Sequence, residues 1–278
     1  MRKTLADIKR MKVEGRKISM LTAYDASMSR LMSGCGVDML LVGDSLGMVM
    51  LGYETTVPVS MDEMIHHSRA VRRGAPDSFV VGDMPFGSYQ TGERDAVING
   101  TRFLKEADCD AVKLEGGHAV CPVVKALVTA GVPVVAHIGL TPQTASQLGG
   151  YKVQGKDIED GARLVEEAKA LESAGAFAVI LECIPDKLAE VITETIAIPT
   201  IGIGAGVYCD GQVLVINDML GMFDKFTPKF VKKYANLAPL IKTAVTQYDL
   251  EVKNGSYPTA DHSFTSDVDY RAALLNKK

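Results

Sequence analysis

One stretch of the sequence carries the signal that decides the fold: Ala130-Gly131-Val132-Pro133-Val134-Val135-Ala136-His137. A glycine placed to end a helix is followed by consecutive apolar residues, which are typical of a short strand buried on both faces. The same order recurs at Ala174-Gly175-Ala176-Phe177, before an apolar run that ends at Glu182. This repetition predicts the alternating strands and helices of an α/β protein.

Eight apolar segments are candidate strands: Ile18 to Asp25, Met39 to Ser45, Phe79 to Pro85, Ala111 to Gly116, Val132 to Gly139, Ala178 to Ile184, Pro199 to Gly206 and Val213 to Asp218. Eight βα units in about 250 residues favour a single (β/α)8 TIM barrel over an open doubly wound sheet. No linker divides the chain, so residues 1–264 are predicted to form one barrel domain and residues 265–278 a C-terminal tail. We also expect a long helix from about Phe230 to Val252. The end of the chain, Asp267 to Lys278, is expected either to form a short helix or to be frayed.

The composition excludes several classes of protein. The chain has 278 residues, 47% of them hydrophobic and 23% charged, and a formal net charge of −4, so neither disorder nor a nucleic-acid partner is expected. The apolar runs are shorter than the roughly 20 residues of a membrane-spanning helix, and the N-terminus does not resemble a secretory signal. We therefore expect a cytoplasmic protein without a membrane partner. Five scattered cysteines without a CxxC pair predict reduced thiols.

Polar side chains end several of the predicted strands. In a TIM barrel the working groups come from the carboxyl ends of strands, so these side chains are expected to meet at one rim. The residues are Asp44 with Ser45, Asp83, Lys113 with Glu115, His137 and Glu182. Carboxylates brought together repel one another unless a cation or a proton lies between them. An all-oxygen set of Asp44, Asp83 and Glu115 favours a hard ion such as Mg²⁺ over Zn²⁺.

The residues alone leave several roles open. Lys113 is two residues before Glu115, so both side chains should point into the barrel, where Lys113 either binds a substrate anion or forms an internal ion pair. Glu182 is either a general base or a fourth metal ligand. His137 is either a hydrogen-bond donor to substrate or a structural histidine. The long segment from residue 139 to residue 155 is expected to form a lid or a wall of the site.

Six motifs together resemble the ketopantoate hydroxymethyltransferase family, and the resemblance runs from about Leu21 to Phe264. The motifs are Val42-Gly43-Asp44-Ser45-Leu46-Gly47, Gly82-Asp83-Met84-Pro85-Phe86, Val112-Lys113-Leu114-Glu115-Gly116-Gly117, His137-Ile138-Gly139-Leu140-Thr141-Pro142-Gln143, Gly149-Gly150-Tyr151-Lys152-Val153-Gln154-Gly155 and Ile201-Gly202-Ile203-Gly204-Ala205-Gly206. The resemblance implies transfer of a hydroxymethyl group from 5,10-methylenetetrahydrofolate, as co-substrate, to 3-methyl-2-oxobutanoate, the first committed step of pantothenate and coenzyme A synthesis.

The resemblance also implies roles for individual residues. The family's metal ligands fall on Asp44, Asp83 and Glu115, which would hold one Mg²⁺ per subunit. Its substrate contacts fall on Asp44, Ser45, Asp83 and Lys113, and its proton acceptor falls on Glu182. His137 is a further candidate substrate contact on its position alone. Members of the family are homodecamers of two stacked pentamers, so a homo-oligomer is expected.

The expected chemistry is an aldol-type addition through a Mg²⁺-stabilised enolate formed when Glu182 removes the C3 proton. Two rival functions remain. One is a Mg²⁺-dependent C–C lyase or mutase of the phosphoenolpyruvate mutase and isocitrate lyase type, whose nucleophilic cysteine loop has no counterpart in the sequence. The other is a non-catalytic metabolite-binding barrel.

Overall fold

The computed structural model describes residues 2–223 and 226–275 and contains a closed barrel of eight parallel strands in chain order. The strands are Ile18–Thr22 (β1), Met39–Val42 (β2), Phe79–Asp83 (β3), Ala111–Glu115 (β4), Val134–Gly139 (β5), Ala178–Glu182 (β6), Thr200–Ile203 (β7) and Gly211–Leu214 (β8). The predicted (β/α)8 TIM barrel is confirmed.

Helices surround the barrel and close one of its ends. They are Leu5–Val13 (α1), Ala26–Ser33 (α2), Leu46–Val49 (α3), Met61–Gly74 (α4), Glu93–Ala107 (α5), Cys121–Thr129 (α6), Ile158–Ser173 (α7), Asp186–Thr195 (α8), Ile216–Met219 (α9), Leu237–Asn254 (α10) and Tyr270–Leu275 (α11), with 3-10 turns at His118–Val120, Pro142–Thr144 and Ala260–His262. Gly131, in the stretch that decided the fold, has φ +85° after α6, so it ends that helix in the left-handed conformation that glycine adopts without strain.

The strands divide the barrel interior into an apolar half and a polar half. Alternate residues of each strand point inward. Near the amino end these inward residues are apolar and pack with Ile8 and Met11 of α1, which close that end; they include Met20, Met39, Leu41, Phe79, Val81, Val135, Ile180 and Val213. Towards the carboxyl ends of β3 to β6, ionisable residues occupy the inward positions of the same alternation. A second apolar layer fills the space between strands and helices.

Among the predicted elements, the eighth strand and the long C-terminal helix differ most from the structure. The eighth strand is Gly211–Leu214 rather than Val213 to Asp218, because Ile216 donates its N–H to Thr22 Oγ1 and starts α9. The long helix begins at Leu237 rather than at about Phe230, whereas the short tail helix, Tyr270–Leu275, lies within its predicted range. Residues 276–278 of the predicted tail lie outside the described residues, and the predicted boundary at residue 264 stays a prediction.

The part of the chain from residue 237 to residue 275, which we call the C-terminal arm, contains no buried residue. Its apolar side chains, among them Leu240, Val245 and Leu250 of α10, are exposed. Within residues 2–223 and 226–275, no helix has the length and apolarity needed to cross a bilayer. All five cysteines are free thiols; Cys109 and Cys209 are buried and Cys35 is exposed.

Candidate functional site

A cavity of about 370 Å³ opens at the carboxyl ends of the strands. All six ionisable residues singled out from the sequence line it, and we call them the acidic cluster: Asp44, Asp83, Lys113, Glu115, His137 and Glu182. Ser45 lines it too. The volume lies within the range of roughly 300–1,000 Å³ that is typical of small-molecule pockets. The predicted meeting of these side chains at one rim is therefore confirmed.

Lys113 lies at the centre of the cluster. Its Nζ donates to Asp83 Oδ1 at 2.9 Å and Oδ2 at 3.1 Å, and to Glu115 Oε1 at 3.2 Å. All three side chains are almost fully buried. Lys113 and Glu115 face the same side because they are two residues apart on β4. The internal ion pair that the sequence left open is thus present, and binding of a substrate anion by the same ammonium stays a prediction.

Asp44 and Ser45 follow β2 at the start of α3. The backbone N–H of Asp44 donates to Asp83 Oδ2 at 3.0 Å, which joins the loop after β2 to the end of β3. Ser45 Oγ is 2.9 Å from the hydroxyl of Tyr24, a residue that is 1% exposed. Both residues are thus held by contacts to segments that follow the neighbouring strands, in addition to the hydrogen bonds of α3.

His137 lies between two carboxylates. Its Nε2 is 3.1 Å from Glu182 Oε2 and its Nδ1 is 3.6 Å from Glu115 Oε1, although neither ring nitrogen is aligned for a hydrogen bond. Burial and Lys113 oppose protonation of the ring, but Glu115 and Glu182 outweigh them and raise the pKa of His137 to about 9. His137 is therefore a buried cation at neutral pH that faces the predicted proton acceptor.

The acidic cluster carries more negative than positive charge. Four carboxylates face one ammonium and one imidazolium, which leaves an excess of two negative charges when all the acids are ionised. Burial, followed by repulsion from Asp83, raises the pKa of Asp44 well above its usual range. Burial also opposes ionisation of Glu115, but Lys113 and His137 prevail and lower its pKa to about 2. Lys113 loses hydration on burial, yet Asp83 and Glu115 hold its pKa well above the ordinary value.

The ends of β5 and β6 approach each other closely beside Glu182. A Cβ at Gly139 would lie 2.2 Å from the carbonyl oxygen of Glu182, so only glycine fits where the two strands meet. Cys183, the next residue, has φ +48°, a left-handed conformation that is uncommon for residues other than glycine. The backbone on both sides of Glu182 is thus constrained by the neighbouring strands.

Two further residues contact the cluster that the sequence did not single out. Gln143 is 3% exposed, and its Nε2 donates to Asp44 Oδ2 at 2.9 Å. The hydroxyl of Tyr89, which is 2% exposed, donates to Gln143 Oε1 at 2.6 Å. The only signal of Gln143 was its place at the end of the His137 motif, directly after Pro142. Tyr89 lies in the irregular segment after β3, where no periodic pattern identifies buried residues.

The segment from residue 139 to residue 155 forms one wall of the cavity, as predicted. Tyr151, Lys152 and Val153 line the pocket, as do Phe226 and Phe230 of the segment that follows α9. The segment is attached near Glu182 at both ends, because Leu140 donates to the carbonyl of Glu182 and Gln154 to that of Cys183, each at 2.9 Å.

The donor chemistry of the cluster fits a hard divalent cation, but its present arrangement is that of ion pairs. Three carboxylates with an excess of negative charge match the preference of Mg²⁺ for oxygen ligands. Within residues 2–223 and 226–275, however, no three His, Cys, Asp or Glu side chains are arranged to hold a metal ion. Lys113 lies between Asp83 and Glu115, so a cation would have to take over part of its role.

The fold and the site define a class: a (β/α)8 barrel with a buried, acid-rich pocket at the carboxyl ends of its strands, where enzymes of this fold have their active sites. The profile of ketopantoate hydroxymethyltransferase matches residues 2–260. The chain therefore belongs to the ketopantoate hydroxymethyltransferase family and is an enzyme, a hydroxymethyltransferase.

Curated relatives match along almost the whole chain. A 3-methyl-2-oxobutanoate hydroxymethyltransferase of Desulfotalea psychrophila is 66% identical over 274 residues, covering 99% of this chain and 98% of the relative. A protein of the same name from Syntrophus aciditrophicus is 59% identical over 261 residues, covering 94% of this chain and 96% of the relative.

Solved structures of lower identity share the fold. A 2,3-dimethylmalate lyase of the PEP mutase/isocitrate lyase superfamily has a TM-score of 0.55 at 14% identity, covering 99% of this chain and 96% of its own. A phosphonopyruvate hydrolase has a TM-score of 0.61 at 12% identity, covering 99% and 95%. These neighbours support the barrel and carry no information about the reaction of this chain.

Proposed function

We propose that this enzyme transfers a hydroxymethyl group from 5,10-methylenetetrahydrofolate to 3-methyl-2-oxobutanoate, giving ketopantoate in the first committed step of pantothenate and coenzyme A synthesis. One observation carries the proposal: every residue that the family resemblance assigns to the reaction lines a single cavity. The names of the curated relatives support the oxo acid as substrate.

Lys113 and Ser45 bind the carboxylate of the oxo acid in this proposal. The pKa of Lys113 is held above its ordinary value, so the ammonium stays charged. Its contacts with Asp83 and Glu115 fix its position. Ser45 Oγ is oriented by Tyr24. A charged and a neutral donor held in place before binding reduce the entropy that is lost when a small anion binds.

Asp44, Asp83 and Glu115 would hold one Mg²⁺ per subunit. When bound, the cation stabilises negative charge that develops on the ketone oxygen of the substrate. Support comes from the oxygen donor set and from the excess negative charge of the acidic cluster. Repulsion among the four carboxylates of the buried pocket would be relieved when a cation binds.

Glu182 would remove the proton from C3 of the oxo acid. Its side chain is 14% exposed and lies beside the His137 ring, at the end of β6, which pairs with β5. His137 Nε2 is 3.1 Å from Glu182 Oε2, so the ring lies against the carboxylate that would accept the proton. The resulting carbanion equivalent attacks the methylene carbon of the folate, which would enter through the rim of Tyr151 and Phe226. One water then supplies the hydroxyl group of the product as the carbon–nitrogen bonds to the folate break, and tetrahydrofolate leaves with its nitrogens protonated.

Proton NMR tests this function directly. In D₂O the enzyme with Mg²⁺ is expected to exchange the C3 proton of 3-methyl-2-oxobutanoate, and to form ketopantoate once methylenetetrahydrofolate is added. Exchange without that product would support the enolate but contradict methylenetetrahydrofolate as the source of the one-carbon unit. Absence of exchange would favour the lyase or mutase alternative or a metabolite-binding barrel.

The substitution Glu182→Gln separates the base from the metal ligands. Removal of a general base is expected to slow exchange by about 10²–10⁴-fold, while the Kd for Mg²⁺ measured by calorimetry stays within about threefold of the unsubstituted enzyme. The matched control is Glu194→Gln, at an exposed position of α8, which should leave both quantities unchanged. Loss of Mg²⁺ binding in Glu182→Gln would instead make Glu182 a ligand.

We further propose a homo-oligomer, with the decamer of two pentamers as the family expectation. The support is the C-terminal arm, because an 18-residue helix without any buried residue gains no packing energy unless another chain covers it. Sedimentation velocity is expected to show an assembly, and a monomer would contradict the proposal. The cytoplasmic location stays a prediction.

A further inference from the structure

A turn at the start of the 139–155 wall reaches into the acidic cluster. Residues Pro142–Thr144 form one 3-10 turn, which is closed by a hydrogen bond from Thr144 N to Thr141 O at 3.0 Å. The turn places Gln143 inward, where it is 3% exposed. An amide buried to this extent has to satisfy its donors and acceptors inside the protein.

Gln143 meets two carboxylates of the cluster through different atoms. Its side-chain Nε2 donates to Asp44 Oδ2 at 2.9 Å, and its backbone N–H donates to Glu115 Oε2 at 3.0 Å. Nε2 also donates its second hydrogen bond to the carbonyl oxygen of Met84 at 2.9 Å. Gln143 therefore joins the end of β4 to the loop after β2 through hydrogen bonds to charged oxygens, which are stronger than those between neutral groups.

Tyr89 fixes which way the amide of Gln143 points. Its hydroxyl accepts the backbone N–H of Glu115 at 3.1 Å and donates to Gln143 Oε1 at 2.6 Å. The Met84 carbonyl accepts and cannot donate, and so does Asp44 when it is ionised, so a flipped amide would set its oxygen against the oxygens of both. The Tyr89 hydroxyl and these two acceptors together allow one orientation of the Gln143 side chain.

We propose that Gln143, oriented by Tyr89, is a positioning residue that holds the carboxylates of Asp44 and Glu115 in place for the divalent cation and the oxo acid. The inference rests on the proposed function, which assigns these two carboxylates to Mg²⁺. Gln143 acts through Asp44 and Glu115 and takes no part in proton removal. Partners that orient metal ligands typically change metal affinity by 10–100-fold when they are removed.

The experiment compares Gln143→Met with Gln147→Met. Methionine keeps the length of the side chain and removes its hydrogen bonds, and Gln147 is an exposed residue of the same segment. Calorimetry on the full-length protein stripped with a chelator is expected to show a 10–100-fold higher Kd for Mg²⁺ in Gln143→Met and an unchanged Kd in Gln147→Met. The KM for 3-methyl-2-oxobutanoate should rise, whereas the rate of C3 exchange at saturating Mg²⁺ and oxo acid should fall less than tenfold.

Tyr89→Phe provides a second, independent variant. It keeps the buried ring and removes the hydroxyl, so a higher Kd for Mg²⁺ is expected here too. Because Tyr89 reaches Asp44 only through the Gln143 amide, the double variant should lose less than the product of the two single losses. If circular dichroism shows that Gln143→Met does not fold, the Kd and KM measurements on Tyr89→Phe test the proposal instead.

The possible failures are distinguishable. If the unsubstituted enzyme binds no Mg²⁺ and exchanges no C3 proton, the proposed function is wrong and the positioning role falls with it. If the unsubstituted enzyme does both, and Gln143→Met and Tyr89→Phe match it within twofold in Kd and KM, then Gln143 only fills space and the inference is overturned.

Discussion

The two ends of the barrel both carry buried or half-buried charge, but they balance it differently. At the amino end, Asp38, Asp110 and Asp210 precede β2, β4 and β8, and each accepts the backbone N–H of a residue in the preceding strand. Each also has its own cation from the N-terminal segment: Lys3, Arg2 and Lys12, respectively. At the carboxyl end, Asp83, Glu115 and Glu182 share Lys113 and His137, and the fourth carboxylate, Asp44, is paired with neither cation.

This difference separates stability from function within one fold. The paired aspartates of the amino end join neighbouring strands and attach α1 to the bottom of the barrel, so their charges are satisfied without any ligand. The acidic cluster lacks that balance, and we propose that a bound cation relieves the repulsion within it. We therefore expect substitutions at the amino end to change stability alone, and substitutions in the cluster to change stability in a way that depends on Mg²⁺.

The largest effect is expected for Lys113→Met. Removal of one partner from a buried ion pair typically costs about 3–5 kcal/mol, because charges of the other partners stay buried and unpaired. Urea denaturation without metal should show this loss, and saturating Mg²⁺ should recover part of it. The control is Lys125→Met at an exposed position of α6. Equal losses of unfolding free energy with and without Mg²⁺ would contradict the proposed difference between the two ends.

A smaller effect is expected for Asp110→Asn at the amino end. The amide oxygen can still accept the N–H of Val80, but the ion pairs with Arg2 at 2.6 Å and Arg72 at 2.7 Å are lost. Hydrogen bonds to charged groups contribute about 1.5–3 kcal/mol, so the free energy of unfolding should fall by about that amount. The kcat/KM should stay within twofold, as in the exposed control Asp77→Asn. A large loss of activity would show that the two ends are not separate.

The smallest effect concerns thiol labelling. Burial raises the pKa of Cys109, at the amino end, to about 12, and burial followed by Glu182 raises that of Cys183, beside the cavity, to about 12. Because the thiolate is the reactive form, both thiols should stay protonated and react slowly up to about pH 10, whereas exposed Cys35 reacts first. Mass spectrometry after alkylation should give the order Cys35, Cys183, Cys109, and the oxo acid should protect Cys183 alone. Protection of Cys109 would contradict the separation of the two ends.

Much of the site could be predicted from local pattern. A period of two along β4 places Lys113 and Glu115 on one face, and the position of Asp83, His137 and Glu182 at the ends of apolar runs places them at one rim. Gln143 and Tyr89 could not be predicted in this way, because their burial depends on how two irregular segments cross the barrel mouth. The predicted start of the long helix was wrong for a related reason. Residues 230–236 have an apolar pattern but do not form a helix in the structure.

The left-handed backbone at Cys183 has a consequence for how the sequence can change. A non-glycine residue in this conformation costs on the order of 1–3 kcal/mol, and glycine would relieve most of that strain. A library of variants selected only for resistance to heat should therefore become enriched in glycine at this position. The same change would free the peptide that follows Glu182, so the selected proteins would gain heat resistance and lose control over the residue that we propose as the proton acceptor.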